Sequence, residues 1–255
     1  LVGQHAIAIP SVALLAHFDS RRPYETNFAG DPNGHMGQVG SATGGVIFRP
    51  GKFDGAIQIA GATTNYVANP SFEVDTSNWL TGFTGTGGAL ARDTSLSYVG
   101  VACARITASS GGNYFIRSNQ ISLPDGSTVT VQCRMRRMAA VSAQLQIRDI
   151  TGGSTRATAA PTLLDTWERL TCSWTNSTGA AATVELRLNN MQGNGTGIIW
   201  VDACQMELSG YGTPYCDGSL GGYDAGGAPD GSGHAWTGTA HASSSTRAAA
   251  ALSYP

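Results

Sequence analysis

Arginine is the side chain in this sequence best suited to recognise something by hydrogen bonding. Of fifteen basic residues all but Lys52 are arginines, and a planar guanidinium matches carboxylates, sugars or phosphates better than an ammonium does. Groups that could do covalent chemistry are poorly arranged by comparison. The five histidines, His5, His17, His35, His234 and His241, all fall towards the two ends of the chain. No serine or cysteine sits in a G-x-S-x-G or comparable nucleophile turn. His17 with Asp19 and His35 with Asp31 match no hydrolase spacing and read more economically as turns. In the middle of the chain Asp93, Asp125, Asp149 and Asp165 read as loop and turn residues rather than an acid/base pair. The five cysteines, Cys103, Cys133, Cys172, Cys204 and Cys216, are odd in number and contain no C-x-x-C spacing. They read as small buried hydrophobes. A non-enzymatic protein is expected.

The elements that must carry the arginines are strands. The chain has 255 residues, 34 glycines and only 13% charged residues, a composition that favours strands and turns over long surface helices. Strand patterns recur at 102–107, 114–116, 129–135, 143–150, 167–175, 183–188 and 198–208. Val129, Val131, Cys133 and Met135 form an apolar phase, and Thr130, Gln132, Arg134 and Arg136 point the other way. Leu145 and Ile147 alternate with Gln144, Gln146 and Arg148. Leu170, Cys172 and Trp174 alternate with Arg169, Thr171 and Ser173, and Val184, Leu186 and Leu188 with Glu185 and Arg187. Two antiparallel sheets packed through their apolar faces satisfy this pattern. The fold class is therefore all-β, a jelly-roll β-sandwich. Trp79, Trp167, Trp174 and Trp200 are expected in its core.

The ends read differently. Residues 1–66 hold three short strand-like runs around a loose stretch rich in Gly, Pro, Asn and Asp. Residues 209–255 are again glycine-rich but carry Tyr211, Tyr215 and Trp236 in extended runs. We expect these flanks to pair with each other beside a central domain at 67–208. The formal charge of −2 gives no reason to expect nucleic acid as a partner. No apolar run has the length of a bilayer span, so no membrane insertion is expected. No signal peptide is recognisable, and the lack of an initiating Met suggests processing or an excerpt of a longer protein.

Two stretches carry a resemblance. Asn69-Pro70-Ser71-Phe72-Glu73 with Trp79 opens the central domain, and Ile199-Trp200-Val201-Asp202-Ala203 followed by Gln205-Met206-Glu207 closes it. Together they resemble the family 4/9 carbohydrate-binding modules of the galactose-binding-like jelly-roll fold. The flanks, 55–66 and the run from Thr213-Pro214-Tyr215-Cys216-Asp217-Gly218 to 236–247, look like bacteriophage tail-associated and minor virion proteins.

The resemblance implies a virion protein, assembled in the host cytoplasm, with other virion proteins and copies of itself as partners and a cell-surface glycan as a possible ligand. Purely structural cementing of a particle and an accessory module of a polysaccharide hydrolase are the alternatives. It implies a structural calcium ion near the start of the module, with Glu73 and Asp202 at the matching positions; capping of backbone amides by Glu73, with Asp202 paired to an arginine, is the alternative. For sugar binding, which uses planar polar groups and an aromatic platform, the polar-phase residues Gln132, Arg134, Gln146, Arg148, Glu185 and Arg187 are the candidates if their strands neighbour one another in one sheet, with Tyr114 as a stacking ring. An ordinary solvated sheet face is the competing reading of that set.

Overall fold

The computed structural model describes residues 62–84, 87–108, 113–138, 142–191, 197–220 and 233–248, together with four short strands nearer the N-terminus. Two compact units form. One comprises Leu1–Gly61, Gly221–Gly233 and Ala248–Pro255, the other Ala62–Leu220 and His234–Arg247. In the first, β1 (Ala16–His17) pairs antiparallel with β2 (Thr26–Asn27), and β3 (Val46–Arg49) with β4 (Ala56–Ile59). The pairings of His17 with Asp19 and of His35 with Asp31 lie outside the described residues.

The second unit is the sandwich, and no helix occurs among its described residues. Its strands are β5 (Thr63–Asn65), β6 (Leu80–Thr84), β7 (Gly88–Asp93), β8 (Cys103–Ala108), β9 (Asn113–Arg117), β10 (Ile121–Leu123), β11 (Thr128–Arg137), β12 (Ser142–Asp149), β13 (Ser154–Ala159), β14 (Glu168–Thr175), β15 (Ala182–Met191), β16 (Gly197–Glu207), β17 (His234–Trp236) and β18 (Ser245–Arg247). A six-stranded sheet runs β13-β12-β15-β9-β6, with β10 also on β15. A five-stranded sheet runs β14-β11-β16-β8-β7. All pairings are antiparallel, and successive strands repeatedly cross between sheets, as a jelly roll requires.

The alternation dictates what lies between the sheets. Val129, Val131 and Met135 of β11, Leu145 and Ile147 of β12, Val184, Leu186 and Leu188 of β15, and Ile199, Val201 and Met206 of β16 have no exposed surface. Fully burying each such side chain contributes about 1.5–3 kcal/mol. Along β16 the phase changes where Ala203, at φ 50°, sits in a bulge between the pairs Gln132–Gln205 and Arg134–Asp202. The bulge lets both Val201 and Cys204 point inwards with two residues between them.

Of the four tryptophans expected inside, Trp79 is buried and Trp174 packs against the core. Trp200 is not a core residue. It stands opposite Arg105 and Arg136 on the outer face of the five-stranded sheet, and its indole N–H donates to Asp93 at 2.9 Å. A continuous run such as Ile198-Ile199-Trp200-Val201 carries no alternation from which its phase can be read. Trp167 is half-buried beside Tyr98, ring centroids 6.1 Å apart.

A third sheet, β17-β18-β5, joins residues from both flanks. It belongs to the sandwich unit, which therefore extends beyond 67–208. The cause is a buried polar seam. Asn65 donates to the carbonyls of Cys204 and Cys216 at 2.9 Å each and accepts from Val67 and Met206. Glu207 accepts from Thr63, Gln205 and Thr213. These bonds satisfy groups whose burial without partners costs about 1–3 kcal/mol each.

Candidate functional site

The outer face of the six-stranded sheet brings together four of the sequence candidates. Gln146 and Arg148 of β12 stand directly opposite Arg187 and Glu185 of β15. Arg187 in turn stands opposite Arg117 of β9, and Asn189 opposite Phe115. Side chains two apart on a strand share a face, so alternation along three neighbouring strands builds a single polar surface.

Glu185 is its keystone. It has no exposed surface, yet carries a carboxylate that accepts from Arg187 at 2.7 Å and from Gln120 at 3.1 Å, with Arg117 at 3.8 Å. A buried carboxylate persists only when paired and hydrogen-bonded. Its partner is thereby oriented: the Arg187 guanidinium lies over the Phe115 ring, 4.2 Å from its centroid. Phe115 in turn occupies the space over Gly82 of β6, where an added Cβ would come within 2.3 Å of the ring. Gln146 is buried, 7% exposed, and donates to the more open Gln144 at 2.8 Å, orienting it, while Arg148 donates to the Gly153 carbonyl at 2.6 Å. Planar amides and guanidiniums are thus held in fixed directions, an arrangement able to hydrogen-bond hydroxyls.

The other three candidates lie elsewhere. Gln132 and Arg134 are on β11 in the opposite sheet, so they cannot share this surface. Gln132 is buried, accepting from Arg169 and donating to the Thr213 carbonyl at 2.7 Å, beneath the segment that follows β16. Arg134 lies over Tyr98, 4.3 Å from the ring centroid. Tyr114 is only 6% exposed and belongs to the core. A stacking platform must present its ring, so Tyr114 does not fill that role; its neighbour Phe115, in the opposite phase, lies on the outer face with its ring between Gly82 and the Arg187 guanidinium. Asn-Tyr-Phe-Ile-Arg offers aromatics in both phases, and only the partnership of Tyr114 with Ile116 could have indicated which turns outward. Arg117 was detectable as the next polar-phase residue of the same strand.

Glu73 and Asp202 meet at the other place the sequence singled out. The 69–73 stretch is a tight, strained turn in which Asn69 and Phe72 take φ 53° and 58°, a costly conformation for non-glycine residues. It is held by the Pro70 carbonyl accepting from Cys204, by the Trp79 indole donating to Asn69, and by Phe72 packing on Trp79, centroids 5.1 Å apart. Glu73 then accepts from the Val101 amide at 3.0 Å. Asp202 accepts from Tyr98, Val99 and Ala203 at 2.7, 2.9 and 2.6 Å. The same short loop is therefore gripped by both carboxylates, from the first turn and the last strand of the module.

Burial pushes the Asp202 carboxyl up to about 7 despite the three amides, and the nearby Glu73 charge adds to the rise. Neither carboxylate makes an ion pair among the described residues, so the expected alternative of an Asp202–arginine pair does not form. Two neighbouring hard-oxygen carboxylates without a cation fit a divalent ion such as calcium in charge and donor type. Among the described residues no cluster of three or more His, Cys, Asp or Glu side chains accompanies them. Among the described residues, further protein ligands would have to be neutral oxygens, from backbone carbonyls or from amide and hydroxyl side chains.

No protein-family model matches the sequence, and no curated protein matches it. Solved structures similar to the chain include carbohydrate-binding modules and a phage tailspike domain, the kinds of protein the sequence resembles. One is the tailspike protein 4 enzymatically active domain of bacteriophage CBA120, at 16% identity and TM-score 0.46 over 57% of this chain and 21% of that one. Another is TmCBM61 in complex with β-1,4-galactotriose, at 16% identity and TM-score 0.44 over 57% and 99% of the two chains. A third is the CBM22-1 xylan-binding domain of Paenibacillus barcinonensis Xyn10C, at 14% identity and TM-score 0.42 over 60% and 99%. The match thus spans about a fifth of the tailspike domain and nearly all of each binding module.

Proposed function

We propose that the chain is a non-catalytic glycan-binding protein whose ligand lies on the outer face of the six-stranded sheet. The observation that carries this is the Gln146–Arg187–Arg117 row with buried Glu185 beneath it. A merely solvated sheet face gains little from pairing charges at its surface and has no need of a carboxylate without exposed surface. Here the carboxylate fixes two arginines and places one of them on an aromatic ring. Fixed donors reduce the ordering cost of binding a flexible, hydroxyl-rich ligand.

Within this proposal, Glu73 and Asp202 would hold a structural calcium ion, which would supply the positive charge the pair lacks, while the loop at 98–101 is kept in place by the amides it donates to the two carboxylates. The finer assignment, a virion surface protein that attaches to host glycan beside other virion proteins and copies of itself, is supported by the resemblance of the flanking sequences. A glycan array probed with the whole chain and with Arg148→Ala tests the binding reading. Binding of at least one glycan class that the variant loses is expected; an array on which the folded protein binds nothing overturns it.

A further inference from the structure

We infer, resting on the glycan-binding reading above, that the ligand of this face is an acidic glycan, one whose sugars carry carboxylates. The titratable side chains that the described strands place on the face are Arg117, Arg148, Arg187 and Glu185, three guanidiniums against one carboxylate. The single negative charge has no exposed surface, whereas Arg117 and Arg187 side chains remain 35% and 16% exposed. Among the described residues of the face, a ligand arriving over the sheet therefore meets positive charge only. This stands out in a chain whose formal charge is −2 and whose cations are otherwise scarce.

Glu185 does not neutralise the face. It engages Arg187 closely and Arg117 at longer range, and Arg148 is held by one neutral carbonyl, that of Gly153. The Nε atoms of Arg117 and Arg187 are buried, as is Oδ1 of Asn189 beside them, so a ligand meets the terminal nitrogens of these guanidiniums. A carboxylate accepts two parallel N–H bonds from a guanidinium fork, and the Gln144 amide, oriented by Gln146, suits a hydroxyl of the same sugar. A neutral glycan would use the amide and leave the charges unanswered.

The test is calorimetric titration of the whole chain with polygalacturonate, dextran sulfate and neutral xylan at low and high salt. Wild-type protein should bind polygalacturonate, at least tenfold more tightly than xylan, and lose roughly tenfold in affinity between 50 and 500 mM NaCl as exposed charges are screened. Arg148→Ala should weaken uronate binding by roughly tenfold or more, and Arg148→Lys, which keeps the charge but not the fork, by less. Arg105→Ala, an exposed arginine on the opposite sheet, should leave it unchanged, and thermal melts verify that each variant is folded. Equal binding of xylan and uronate, insensitive to salt, overturns the acidic-glycan inference and leaves glycan binding intact. Dextran sulfate bound as tightly as uronate overturns the carboxylate assignment in favour of charge alone. Binding of none of the three, with none on the array, sinks the underlying glycan reading itself.

Discussion

Asp202 makes stability depend on pH in a direction opposite to that of ordinary surface acids. Its carboxyl is raised from the usual 3.8 to about 7 by burial and by Glu73. The folded state therefore holds the proton more tightly than the unfolded chain does. By linkage, the contribution is fully present below the unfolded pKa and is lost as pH rises through the folded one. A rise from 3.8 to about 7 corresponds to about 4 kcal/mol lost between pH 4 and pH 8 in the absence of a cation. Asp93, Asp149 and Glu168, whose carboxyls are held low by hydrogen bonds and arginines, contribute with the opposite sign, so the difference between wild type and Asp202→Asn isolates the effect. At pH 4 the folded wild-type carboxyl is itself protonated, so the asparagine, its neutral isostere, should cost little there. Urea unfolding from pH 4 to 8 in EGTA should then show the variant overtaking wild type as wild type loses stability. Millimolar calcium at pH 7.5 should restore wild type and leave the variant unmoved. A gap constant with pH would refute the burial argument, and indifference of wild type to calcium would remove the ion.

Three further outcomes follow from named contacts. Gly82→Ala should displace the Phe115 ring, because the new Cβ would lie 2.3 Å from it, and should weaken glycan binding severalfold in titration while the melt shifts little; unchanged affinity would dissociate the ring from the site. Arg187→Ala should destabilise the fold by about 3 kcal/mol by leaving Glu185 buried without its closest partner, and Glu185→Gln by less, since the freed arginines can reach water; equal losses in denaturant unfolding would contradict this asymmetry. Cys103, Cys133 and Cys204 have almost no exposed surface, and burial raises all three thiols, that of Cys103 to about 12. They should resist a thiol reagent at pH 8 in the native state and react on denaturation; rapid native labelling would show an access route the fold does not have.

What the sequence reveals and conceals divides along clear physical lines. Strands with an apolar phase, such as β11, β12 and β15, announce themselves by alternation. Strands β6, β7 and β13 do not, because Leu-Thr-Gly-Phe-Thr, Gly-Ala-Leu-Ala-Arg-Asp and Ser-Thr-Arg-Ala-Thr-Ala are edge segments with few large apolar residues to alternate. β10 is only three residues long. Polar phase was readable, and Gln146, Arg148, Glu185 and Arg187 do share one face. Which sheet each strand joins was not, and this is why Gln132 and Arg134 fell on the wrong side. The strand pairings of the flanks depend on residues more than a hundred positions apart, such as Asn65 with Met206, and no local pattern encodes them. Phe115 was hidden by the neighbouring tyrosine, since either aromatic fills an apolar slot.

The most direct measurement maps backbone amide chemical shifts of the isotopically labelled chain as a bound glycan is titrated in. Perturbations confined to β9, β12 and β15, centred on Phe115, Gln146 and Arg187, are the predicted result. Perturbations confined to β11 and β14 of the opposite sheet, with the six-stranded face unchanged, would contradict it.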